Sequence, residues 1–221
     1  MSQEVSVSPV LQTVTVRAPV ADRAISRRAI LRRVVVGATL GLAWGVALRA
    51  WMALLALEFG DRPQFTWHGT FGAILLPAAL MGGILGVAAF SAETSDVKRW
   101  RWGIFSPMLF VLGPATLPGF ISGLVTTGLG GGAIAVALIG ILGGFAFSGF
   151  GRRWLRWILG LLTVFLTLAM AYGVYFADRG IAVMPDAGKS FGVLLYFLLL
   201  VLLVAGVSAP SRYQTNQSVS E

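Results

Sequence analysis

Arg49 is the residue whose type and setting point most directly to chemistry, because it lies inside the otherwise uncharged apolar run Val34–Leu57. A guanidinium is a planar fork of N–H donors that matches carboxylate and phosphate oxygens. At 1.5 Å per residue it sits roughly 5 Å past the middle of its run and about 12 Å from the outer end. A charge at such depth costs several kcal/mol and marks a functional position by default. Arg49 also continues the four-residue row Gly37, Gly41, Gly45, so it is expected to face other helices. All nine acidic residues fall outside the apolar runs, so no intramembrane carboxylate is there to pair with it. Three partners stay open: outward snorkelling toward Glu58, Asp61, Asp178 or Asp186; carbonyls freed by Pro114 and Pro118; and an anionic ligand such as a lipid phosphate.

The segment Glu58 to Thr70 holds the densest mixture of polar and aromatic residues. Its two carboxylates, Glu58 and Asp61, and its histidine, His68, could in principle move protons. No positioned nucleophile accompanies them, so the expectation is a lid or docking loop and no enzyme, with Thr66 or Thr70 capping the following helix and Trp67 at the outer interface. The candidate ligand set is therefore Arg49, Glu58, Asp61, Trp67 and His68. His68 is the single histidine and the chain has no cysteine, which excludes a His/Cys metal cluster, a thiolate nucleophile and a disulfide. Neither a metal nor a cofactor is expected. Gly188-Lys189-Ser190 fails as a phosphate loop, because position 183, where the motif needs glycine, is Val183.

The elements that must position these residues are apolar and long. Hydrophobic residues make up 57% of the chain and charged residues 12%, against about 25% charged in soluble domains. Six runs stand out: Val34–Leu57, Thr70–Phe90, Gly103–Leu124, Ala133–Phe150, Ile158–Phe176 and Phe191–Ser208. Each is at or near the roughly 17–25 residues that cross a bilayer as a helix. Without water to satisfy its backbone, such a run must be helical, and the two-residue alternation of a barrel strand is absent. The expected fold is an all-α bundle of about six transmembrane spans over residues 34–208. A disordered tail (1–21) and a basic interfacial segment (22–33) precede it and a second tail (209–221) follows. No secretory signal is read at the start, so insertion falls to the first span.

The formal net charge is +8, yet the basic residues form short clusters between apolar runs and no continuous face, so nucleic acid is not an expected partner. With the N-terminus inside, 13 of the 17 Lys and Arg residues fall on inner segments and three (Arg62, Arg179, Lys189) on outer ones. This bias orients the protein in the plasma (inner) membrane with both termini cytoplasmic. Clusters at Arg32-Arg33, Lys98 to Trp102 and Arg152 to Trp157 open the first, third and fifth spans, with Trp100, Trp102, Trp154 and Trp157 as an aromatic belt. Their partner is the bilayer, with anionic lipids on the cytoplasmic face.

Helix association in lipid depends on small residues. Gly37, Gly41 and Gly45, with Gly82 and Gly86, Gly119 and Gly123, and Gly140 and Gly144, form such ridges, within one chain, in a homo-oligomer or against another membrane protein. The Leu- and Phe-rich fifth and sixth helices are expected to face lipid. Pro114 and Pro118 kink the third helix, and the glycine-rich 126–132 makes a tight hairpin to the fourth. The leading function is a non-enzymatic membrane protein that binds an anionic or lipid-like ligand, or stabilises a membrane assembly, near Arg49 and the first outer loop. The alternative is a small secondary transporter or channel of two three-helix inverted repeats, and less favoured is a membrane enzyme using the outer carboxylates.

Arg49-Ala50-Trp51-Met52, followed by Glu58-Phe59 and Phe65-Thr66-Trp67-His68-Gly69-Thr70, resembles a signature of uncharacterised polytopic membrane proteins of actinobacteria. Extra residues separate the glutamate from the second element, and Ala53 stands where that pattern carries a basic residue. The resemblance covers roughly residues 45–75 and implies a plasma-membrane protein without an assigned activity.

Overall fold

The computed structural model describes residues 20–58, 65–93, 101–115, 131–149, 151–173 and 186–217. The N-terminal tail to residue 19, Asp61, Pro118, Gly119, Gly123, most of the 126–132 loop and the last four residues lie outside the described residues. Among the described residues the chain is all-helical, with no strand, in six helical segments. These are α1 (Val20–Glu58); α2, a π-helical stretch (His68–Leu75) continuing into an α-helix (Leu76–Glu93); α3, a 3-10 stretch (Arg101–Met108) continuing into an α-helix (Leu109–Ala115); α4 (Gly131–Phe147); α5 (Arg153–Ala171); and α6 (Asp186–Gln217). Four stretches are long and apolar enough to cross a membrane, Arg27–Leu57, His68–Ala92, Arg153–Ala171 and Gly188–Pro210, and Gly132–Phe147 is a shorter apolar helix. Their outward faces carry Leu, Val, Phe and Trp in place of charge, which points to a membrane location.

Two prolines account for the irregular stretches. Pro77 has no N–H to offer the preceding turn, and in an α-helix its ring would press on the Ala73 carbonyl. The wider π turn before it relieves that crowding, with the Leu76 N–H reaching back to the Phe71 carbonyl. Pro107 lies within the 3-10 stretch. There the three-residue period is visible in burial: Trp102, Phe105 and Met108 face outward, while Gly103, Ile104, Ser106 and Pro107 are buried. The run Gly103–Leu124, expected as one kinked helix, therefore starts as a 3-10 helix before its first α-helical turn.

Packing is antiparallel from one segment to the next. On α1, Gly37 lies against the Gly82 carbonyl and Gly41 against the Ala78 carbonyl of α2, and Gly86 meets the Arg33 carbonyl; in each case a Cβ would overlap backbone. On α4 the glycines do something different. A Cβ at Gly140 would sit 3.0 Å from Pro107 and 3.1 Å from Leu203, one at Gly143 would be 2.6 Å from Val204, and Gly144 receives Val207. They form a groove for branched side chains of α6.

The sixth helix has two faces: Tyr196, Leu199, Leu200, Leu203 and Val207 are core residues packed among α1, α2 and α4, while Phe191, Leu194, Leu198, Val201 and Leu202 are exposed on the other side, as expected of a lipid-facing surface. Its buried side chains fill the groove that α4 leaves empty, so a Leu-rich composition does not by itself report exposure. Only α5, which buries just Thr163 and Ala171, is peripheral. α1 runs unbroken through residues 22–33, so the basic segment and the first apolar run share one helix.

The α4–α5 elbow turns on Gly149 and Gly151, at φ +82° and +78°, a left-handed conformation that side chains with a Cβ disfavour. The last carbonyls of α4 are met locally. Ser148 Oγ donates to the Phe145 carbonyl (2.7 Å) and Arg156 Nε to that of Ala146 (3.0 Å). The up-and-down order gathers Arg27, Arg28, Arg32, Arg33, Arg101, Arg152, Arg153 and Arg156 at one end of the bundle.

Opposite effects are expected from two glycine-to-alanine changes. Gly41→Ala forces backbones apart and should destabilise by about 1–3 kcal/mol. Gly160→Ala meets only Ala146 Cβ at 3.7 Å and should be neutral or stabilising by up to about 1 kcal/mol through helix propensity. Denaturant unfolding in mild detergent, followed by circular dichroism, measures both.

Candidate functional site

The glycine contacts set the register that builds the site. Gly37 faces Gly82, Gly41 faces Ala78, and Gly45 faces Ile74 and Ala78. One turn further along α1 and one turn back along α2, Arg49 meets Thr70, and its Nε donates a long hydrogen bond, 3.4 Å, to Thr70 Oγ1. Thr70 is buried and Arg49 half-buried. The helix entry is capped just before this point. Thr66 Oγ1 accepts the Gly69 N–H (3.2 Å) and the Thr66 carbonyl accepts the Thr70 N–H (2.9 Å). Thr66 is thus the cap, and Thr70 serves the arginine.

The pairing gives Arg49 two different distances from a helix end. Counted along α1, Arg49 lies about 12 Å below the helix end; counted along α2, its partner is two residues from His68, roughly 3 Å. The difference arises because α1 continues past the entry of α2. Beyond Arg49 it packs on α6 instead, where Trp51 stacks on Tyr196 (5.2 Å between ring centroids, 27° apart). The Tyr196 hydroxyl donates to the Thr167 carbonyl of α5 (3.2 Å). Deeper, Trp44 Nε1 donates to the Leu199 carbonyl (2.9 Å) and its ring meets the edge of Phe110 (5.4 Å). Arg49 therefore stands on a step, with the low wall formed by α2 and the high wall by α1 and α6.

At the same end, Phe65, Trp67 and Phe71 make a cluster of three exposed rings. Trp67 stacks on Phe71 at 5.1 Å and Phe65 meets Trp67 edge-on at 5.4 Å. Trp67 is 73% exposed despite these contacts, so its apolar surface is left for a non-aqueous environment or a partner. His68 is exposed beside it, its ring near Gly72. Of the candidate ligand residues, Arg49, Trp67 and His68 thus share one end of the bundle. Glu58 ends α1, and the position of Asp61 lies outside the described residues. Among the described residues no group of three His, Asp or Glu side chains could hold a metal.

Reasoning from spacing alone missed the interior hydrogen-bonding rings. Trp44 and Trp51 are seven residues apart, two turns of helix, on the face that also carries the glycines. An indole N–H within an apolar helix needs an acceptor, and that requirement was the available signal. Ser106 is the other residue missed: its Oγ is buried and has no hydrogen-bond partner among the described residues.

The chain matches no protein-family model, no curated protein and no solved structure. Its chemistry is accordingly read from its own geometry.

A double-mutant cycle tests the pair. Arg49→Met and Thr70→Val are each expected to destabilise, with a coupling energy of about 1 kcal/mol, below the usual range for a hydrogen bond to a charged group because this one is long. Additive effects in detergent unfolding would show that the two side chains act separately.

Proposed function

We propose that the protein is a multi-pass plasma-membrane protein without catalytic activity that binds an anionic or lipid-like ligand at Arg49, beneath the first outer loop. The observation that carries this reading is the Arg49–Thr70 contact at the entry of α2. It holds a guanidinium, whose fork fits phosphate and carboxylate oxygens, at the level where the exposed aromatic cluster begins. This reading has both termini on the cytoplasmic side, supported by the eight described arginines at one end of the bundle, the kind of end that the positive-inside rule retains there. Without a ligand, the same arginine stabilises a membrane assembly by tying α1 to α2.

A transport reading draws on the π-helical and 3-10 stretches, because interrupted helices build transporter sites. It is the weaker one. In an inverted repeat of helices one to three and four to six, α2 and α5 would occupy equivalent places, yet α2 is central and α5 peripheral.

Native mass spectrometry in mild detergent tests the ligand. Wild type should retain an anionic adduct that Arg49→Ala loses and Arg49→Lys keeps in part. Identical spectra from folded proteins would move the role of Arg49 to assembly. Orientation has its own assay, helped by the absence of cysteine. With an impermeant maleimide, Gln64→Cys should label in intact cells and Ser220→Cys only after permeabilisation.

A further inference from the structure

Away from Arg49, the α4–α5 elbow and the outward face of α5 place a charged group directly above a long apolar track. Arg152 is the extended residue before α5 (φ −69°, ψ 139°) and Arg153 its first helical residue. Both side chains are exposed. Arg156 belongs to the framework, since its Nε is committed to the Ala146 carbonyl. Gly149 and Gly151, both at positive φ, precede them in the chain. No Asp or Glu occurs in the sequence between Asp96 and Asp178, so this elbow carries no acid of its own to neutralise them.

Below the arginines the helix surface changes character abruptly. Arg153, Trp157, Leu161 and Phe165 are spaced four residues apart and lie along one line of the helix face. Trp157, Leu161 and Phe165 are all exposed, flanked by exposed Trp154, Ile158 and Leu168. From Arg153 to Phe165 the rise is about 18 Å, close to the ~15 Å depth of one leaflet's hydrocarbon. A cationic head, an indole at the boundary and an apolar stripe one leaflet long together have the dimensions of a single phospholipid.

We propose that this face is a binding site for one anionic phospholipid, its phosphate on Arg152 and Arg153 and an acyl chain along Trp157, Leu161 and Phe165. The site requires that α5 face lipid, and it does not depend on the role of Arg49. An anionic head is selected over a zwitterionic one because two guanidinium groups then face a net negative charge with no compensating ammonium. With each surface cation contributing about 1 kcal/mol, the preference is roughly ten- to thirty-fold.

The test uses the full chain, purified in mild detergent and offered equimolar phosphatidylglycerol and phosphatidylcholine with identical acyl chains, with retained lipid read by native mass spectrometry. Wild type should retain phosphatidylglycerol preferentially, and the preference should fall as salt is raised. Arg152→Gln with Arg153→Gln should bring the two lipids near parity, while Phe165→Ala should weaken both equally. Adding Arg152→Gln and Arg153→Gln to an Arg49→Ala background should still lower the preference that remains there, which separates this site from the one above.

A second readout covers the case in which the double variant fails to fold. In wild type, brominated phosphatidylglycerol should quench Trp154 and Trp157 more than brominated phosphatidylcholine does, read as the difference from a Trp154→Phe, Trp157→Phe protein. Equal retention of both lipids by wild type would overturn the proposal, as would equal quenching, an unchanged preference in a folded double variant, or dimers joined through α5 without lipid.

Discussion

Where α1 crosses α2, Gly37 and Gly41 face the carbonyls of Gly82 and Ala78 with no space for a methyl group, and Gly86 does the same against Arg33. In an apolar solvent the hydrophobic effect cannot hold helices together, so dispersion and weak Cα–H···O contacts at this distance must. Such a contact tolerates little sliding, because moving α1 by one residue would bring a bulky side chain onto backbone. The pair is therefore locked in register, and the register decides what lies at its ends. Arg49 meets Thr70 because Gly45 meets Ile74 and Ala78 one turn earlier.

The rest of the bundle is assembled on that pair by a different kind of contact. On α6, Trp44 and Trp51 of α1 find the Leu199 carbonyl and the Tyr196 ring, and Leu203, Val204 and Val207 fill the groove left by the glycines of α4. One set of glycines lets backbones touch and the other receives side chains, though both show the same four-residue spacing in sequence. The π-helical and 3-10 stretches sit beside these contacts. Gly113 of α3 approaches within the space of a Cβ of Ala73, in the π turn that Pro77 imposes. Proline thus changes which faces of α2 and α3 meet as well as their local hydrogen bonding.

Charge is distributed with the same economy. The arginines gather at one end, the aromatic cluster of Phe65, Trp67 and Phe71 lies at the other, and α5 presents lipid-sized apolar surface between the two levels. Arg49 is the exception that the fold accommodates: a short second helix start brings a hydroxyl to a charge that the first helix alone would leave deep.

The residues by themselves determined the class of the structure. Long uncharged runs have no other way to satisfy their backbones than as helices, and the glycine rows and the basic clusters marked packing faces and a polarised bundle before any coordinates. Tertiary structure alone decided three things. It gave α6 a buried face as well as an outward one, because burial depends on which groove a leucine enters and not on its being a leucine. It made Thr66 the cap and Thr70 the arginine's partner, because a contact between residues 49 and 70 follows from helix register, which no single run encodes. It also set Arg49 beside the entry of a second helix, since α2 begins where α1 has still two turns to run.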